Sequence, residues 1–204
     1  MVEERVLRRI GPGQYQVVEG MKTIDYDYHP SKKMEEIIER VSRRFPFLDF
    51  QIWKSIQYNY FANHQISNNI IFFETDKMSL ESVFEFLKNE CNQDILIFPS
   101  MREYRRYADT DTIIMQSSVT EAPIDKKRKH LVPIEKLLID TLTNRIVALL
   151  FSLTERNNIA EEILLRYNVN IAKARRYAKR RNVGKKLEAI LEKPTMKERW
   201  GEYR

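Results

Sequence analysis

A chain of 204 residues with 43% hydrophobic and 11% aromatic content can bury one ordinary core plus a small appendage, which excludes wholesale disorder. No apolar run approaches the ~20 residues of a membrane helix, and the start MVEERVLRRI lacks the apolar stretch of a secretory signal. The net charge of +6 is unevenly placed: from Lys173 to Arg204 twelve Lys/Arg stand against four acids, so that segment carries +8 and residues 1–172 carry −2.

In chain order, RVLRRI and QYQVV around Gly-Pro-Gly read as a β-hairpin within 1–20, and 21–30 as a linker. Ser31 is placed to cap a helix whose stripe is Met34, Ile37, Ile38 and Val41, ending before Pro46. FLDFQIW alternates as a strand, residues 55–64 suit a short helix, and NNIIFFET reads as a buried strand. Ser79 is expected to cap a helix over 80–91, buried through Leu80, Val83, Phe84 and Leu87. DILIF, a helix from Ser100 to Tyr107 and the strand TIIMQ complete a strand–helix–strand rhythm. That rhythm predicts a mixed α/β core over 31–125, a small mixed or parallel sheet covered by helices. After the charged loop EAPIDKKRKH, Pro133 suits the first turn of IEKLLIDTL, and helices follow around 156–167, 170–182 and 184–192. Residues 126–192 thus read as a helical part and 193–204 as a tail.

The 163 residues between Gly20 and Gly184 hold no glycine, so a Walker loop, a dinucleotide fingerprint and a kinase glycine loop are all excluded there. The lone Cys91 can form neither an internal disulfide nor a cysteine-built zinc cage, which points to a reducing cytoplasm. Two Asp-x-Asp patterns stand in the chain, Asp25 with Asp27 and Asp109 with Asp111, and Pro99-Ser100 sits nine residues before Asp109. Carboxylates at i, i+2 on a strand face the same way and can hold Mg²⁺, as in nucleotidyltransferases. However, a proline stands where glycine is expected, Thr110 replaces an apolar strand residue, and turn chemistry explains the pattern equally well. Glu74, Asp76 and Lys77 are in the wrong register for a nuclease. His29, His64 and His130 fall in three separate loops and read as surface histidines. No catalytic residue, metal site or cofactor is expected.

The basic helix is better organised. Lys173, Arg176, Lys179 and Arg180 recur at three- and four-residue spacing and should share an exposed side, with Ile171, Ala174, Tyr177 and Ala178 turned inward. Such a stripe can neutralise phosphates without reading sequence, or receive an acidic protein face. The bland alternative is pairing with Glu161, Glu162 and Glu188 on a merely solvated surface.

Three stretches together resemble one family. ERVLRRIGPGQYQV looks like the wing hairpin of a winged helix. NNIIFFETDKMSLESVFEFLKNE with DILIFPSMREYRRYADTDTIIMQSSVTEAPI resembles the core of AbiEi-type antitoxins, and VPIEKLLIDTL with LLRYNVNIAKARRYAKRRNVGKKLEAIL their helical end. The resemblance implies a non-enzymatic antitoxin of a bacterial type IV toxin–antitoxin, or abortive-infection, system that opposes a nucleotidyltransferase toxin encoded beside it. It also implies a DNA-binding regulator, but too few residues precede Arg5 to supply the three helices of a winged helix. Arg5, Arg8, Arg9 and Gln14 therefore carry over only as wing positions for phosphate or minor-groove contact, the winged helix being shortened to its wing. Two other readings stand beside this one: a divergent nucleotidyltransferase using Asp109 and Asp111, and a nucleic-acid binder working through the basic helix.

Overall fold

The computed structural model describes residues 5–11, 14–19, 23–63, 65–66, 69–91, 93–143 and 147–200. The hairpin forms as expected, β1 (Arg5–Gly11) pairing antiparallel with β2 (Gln14–Glu19) in the register Arg8 to Gln16. Pro12 and Gly13 of its turn, and the side chains of Arg5, Arg8, Arg9 and Gln14, lie outside the described part.

The α/β core is a four-stranded mixed sheet in the order β3-β4-β6-β5, built from β3 (Phe50–Lys54), β4 (Ile71–Thr75), β5 (Ile95–Ile97) and β6 (Ile113–Ser117). β3 runs antiparallel to β4, and the other two pairs are parallel. The run IIFF has no polar alternation because both sheet faces are covered. Ile71, Phe73, Ile113 and Met115 meet one layer, in which α1 (Lys32–Arg44) contributes Met34, Ile37 and Val41, and α2 (Leu80–Glu90) contributes Leu80, Val83 and Leu87. Trp53, Phe72 and Ile114 point the other way, into the helical half of the chain.

That half comprises α4 (Ile134–Leu142), α5 (Val147–Leu150), α6 (Leu153–Arg166), α7 (Ile171–Arg180), α8 (Gly184–Leu191) and α9 (Pro194–Trp200). All nine residues of α4 are buried, which makes it the central rod against which α6 and α7 pack.

Several local expectations need correction. The stretch expected as a linker is docked: Ile24 bridges Tyr167, with backbone hydrogen bonds to Arg166 and Asn168, and Tyr26 packs against the helical core. Ser79 does not cap α2 with its side chain; the Asp76 carboxylate accepts the Met78 and Ser79 amides instead, at 2.9 Å each. The tail contains α9, anchored by the buried Met196. Strand β3 starts at Phe50, and Phe47 is 99% exposed. Pro133 stands one residue before its helix, in extended backbone. A 3₁₀ helix, Ser55–Tyr60, occupies the expected short helix.

The helix after β5, α3 (Met101–Tyr107), begins with a capping box: Ser100 Oγ accepts the Glu103 amide, and the Glu103 carboxylate accepts the Ser100 amide. Ser100→Ala is expected to cost about 1 kcal/mol, read as a lower midpoint in urea unfolding with an unchanged slope.

Candidate functional site

Asn170 caps α7, its side-chain oxygen accepting the Lys173 amide at 3.0 Å, while Glu135 on α4 accepts the Asn170 amide at 3.0 Å. The helix is therefore fixed at its start as well as by its apolar stripe. Ile171, Ala174, Tyr177 and Ala178 are buried, as the spacing predicts, and Arg176, Lys179 and Arg180 are exposed, with Lys173 half-buried.

The acids that could have neutralised this row are engaged elsewhere. Glu161 pairs with Lys193 at 2.5 Å, Glu162 with Arg166 at 3.1 Å, and Glu188 takes both arms of Arg175 at 2.9 and 3.1 Å. Among the described residues no carboxylate lies within ion-pair distance of Lys173, Arg176 or Lys179. Arg180 donates from Nε to the Thr120 hydroxyl, a neutral partner that leaves its charge uncompensated. The row is thus a set of unneutralised cations, three exposed and Lys173 half-buried, on a capped helix. It suits a polyanion or an acidic surface.

Beneath α7 lies a constellation that sequence reasoning missed. The Lys136 ammonium on α4 is fully buried, 2.9 Å from Glu74 of β4 and 2.6 Å from Asp140 one helical turn on. It also sits 4.3 Å from the centroid of the Trp53 ring, over its face. Asp140 accepts a hydrogen bond from the Tyr177 hydroxyl at 3.1 Å and faces Arg181 at 3.3 Å; Gln116 of β6 donates to Glu74. Two cations and two carboxylates give a neutral whole. Burial alone would depress the Lys136 ammonium, but Asp140 and Glu74 hold it well above its ordinary value. Burial pushes Glu74 up, against the opposing pull of Lys136.

The network joins β3, β4 and β6 to α4 and α7, so it fixes the angle at which α7 presents its cations. Its signal was in the sequence: a glutamate inside the run IIFFET, and a Lys/Asp pair at i, i+4 in the otherwise apolar IEKLLIDTL.

Asp109 and Asp111 lie in the turn before β6 rather than on a strand. Asp111 has φ 67° and pairs with Lys33 at 2.9 Å and with the buried Lys54 at 3.0 Å. Burial would raise its carboxyl, but the two ammonium groups hold it below the usual range. Asp109 turns back to accept the Thr110 amide at 2.6 Å. Asp111 therefore staples the turn to α1 and β3, while Asp109 shapes the turn itself. Among the described residues no group of three or more His, Cys, Asp or Glu gathers.

Of the histidines, His29 is exposed beside Asp27, and His64 lies outside the described residues. His130 is half-buried, stacked on Phe50 at 4.0 Å with Nδ1 3.2 Å from the Phe50 carbonyl oxygen, and burial lowers its pKa. No helix among the described residues is long and apolar enough to cross a membrane.

A family model described as a family of unknown function, DUF6577, matches residues 1–197. No curated protein and no solved structure matches the chain.

Proposed function

The chain belongs to this family of unknown function, and from its own residues we propose that it is a non-enzymatic, cytoplasmic antitoxin of a bacterial type IV toxin–antitoxin pair, opposing a nucleotidyltransferase toxin. The α7 face is the surface it presents to an anionic partner, and DNA contact, where it occurs, adds Arg5, Arg8, Arg9 and Gln14 of the hairpin. The resemblance of three stretches to AbiEi-type antitoxins supports the class. One structural observation carries the surface: Lys173, Arg176 and Lys179 stand without acidic partners while the neighbouring glutamates are paired to other cations.

The test is growth rescue, with the full chain co-expressed with the nucleotidyltransferase encoded beside it. Wild type should restore growth, and Arg176→Glu with Lys179→Glu should lose rescue while keeping the wild-type melting curve. Full rescue by the folded double variant would refute the role of α7; failure of wild type to rescue would refute the antitoxin reading.

On a DNA duplex, four phosphate contacts by this row give a log–log salt slope of about −3.6, at about −0.9 per phosphate. The double variant should lower that slope to about −1.8 and weaken all sequences alike, since no base edge is read. Fluorescence anisotropy at several salt concentrations checks this.

A further inference from the structure

A second cationic surface lies on α3, at the sheet edge formed by β5. No residue of α3 is buried. Tyr104 and Ala108 pack partly against the helical core, which leaves the remaining faces of the helix in solvent. Arg102, Arg105 and Arg106, at i, i+3 and i+4, are all exposed, and among the described residues none has a carboxylate within ion-pair distance. The one acid of the helix, Glu103, is folded back onto the Ser100 amide. This local excess of positive charge sits on the part of the chain whose net charge is −2, so it is no extension of the basic C-terminus.

Aromatic rings flank the arginines. Phe98, at φ 44° where β5 ends, is 49% exposed, and Tyr107 at the far end of the helix is 51% exposed. The Arg106 guanidinium carbon lies 5.3 Å from the Tyr107 ring centroid. A seven-residue helix is about 10 Å long, about three nucleotide steps at ~3.4 Å each.

We propose that α3 with Phe98 is a binding surface for single-stranded nucleic acid, Phe98 and Tyr107 stacking on bases and Arg102, Arg105 and Arg106 neutralising the intervening phosphates. Exposed rings flanking a row of unpaired guanidinium groups are the elements of sequence-tolerant single-strand binding. Arginine and aromatic side chains are also enriched at protein interfaces, so an acidic protein partner is the other outcome that the experiment distinguishes. The surface is separate from α7 and stands independently of the antitoxin reading.

The experiment measures anisotropy of a fluorescein-labelled 12-nucleotide single-stranded RNA, and of the same RNA as a duplex, with the full chain. The chain carries Arg176→Glu and Lys179→Glu throughout, so that the α7 contribution is reduced and the same for every variant compared. The single strand should bind more tightly than the duplex. Phe98→Ala and Tyr107→Ala should each weaken single-strand binding roughly five- to hundredfold, and Tyr107→Phe should retain it. Arg102→Gln with Arg106→Gln should flatten the salt dependence, with melting curves unchanged. Equal affinity for duplex and single strand, or unchanged single-strand affinity in the folded alanine variants, would overturn the proposal. So would loss of an acidic protein partner by those variants while RNA binding stays intact.

Discussion

Replacing Lys136 with methionine is expected to lower the unfolding free energy by about 3–5 kcal/mol, because it strands two buried carboxylates without the cation they share. Glu74 and Asp140 are 2% and 5% exposed, and the ammonium is the cation they share. For a chain of this size the loss corresponds to a melting temperature lower by roughly 6–20 °C. Methionine matches the length of the lysine stem, so the cost is electrostatic rather than a cavity. Adding Glu74→Gln to Lys136→Met should recover most of the loss, since Asp140 then stays paired with Arg181 and no buried charge is left uncompensated. Lys193→Met is the surface contrast. Its partner Glu161 is 26% exposed and the lysine 47%, so less than about 1 kcal/mol is expected there. Urea unfolding of the four proteins checks the order, and a Lys136→Met midpoint equal to that of Lys193→Met would refute the role given to the network.

The same residues show where sequence reasoning stops. The stripes of α1, α2 and α7 were legible because a helix repeats every 3.6 residues and each stripe lies within one segment. The Ser31 and Ser100 caps were legible for the same reason, since each cap reaches only three residues along the chain. Ser79 misled because Asp76, three residues earlier, offers a charged acceptor to the same helix end.

The network joins Trp53, Glu74, Gln116, Lys136, Asp140, Tyr177 and Arg181, residues from five segments that meet only once the sheet and the helical half have packed. No local period marks such a set, and the working rule that Lys and Glu are exposed points away from it. The docking of Ile24 on Tyr167 is hidden likewise, being a pairing across 143 positions. Asp109 and Asp111 are the converse case: a metal-like spacing and turn chemistry were equally legible, but the cations that pair with Asp111 come from α1 and β3, which no local spacing marks.

Alkaline pH should unfold the chain cooperatively above about pH 11, given a stability of the usual 5–15 kcal/mol. Burial raises the Tyr58 and Tyr177 hydroxyls above their ordinary 10.0, and Asp140 and Glu74 hold the Lys136 ammonium well above 10.5 in spite of its burial. The sign is the same for all three. Above these ordinary values the unfolded chain releases the proton and the folded chain keeps it, so stability falls as pH rises. Each retained proton contributes a slope of about 1.4 kcal/mol per pH unit, so the three together give about 4. Tyr26, also raised chiefly by burial, acts in the same direction. Tyrosinate absorbance should therefore rise in step with the loss of helical circular dichroism. Tyr177→Phe should make the approach shallower by about 1.4 kcal/mol per pH unit. It should also lower stability at neutral pH by about 1 kcal/mol through the lost hydrogen bond to Asp140. Gradual ionisation of all the tyrosines near pH 10, with the helical signal intact, would mean that Tyr58 and Tyr177 are open to solvent and that the seam between the sheet and the helical half is not closed.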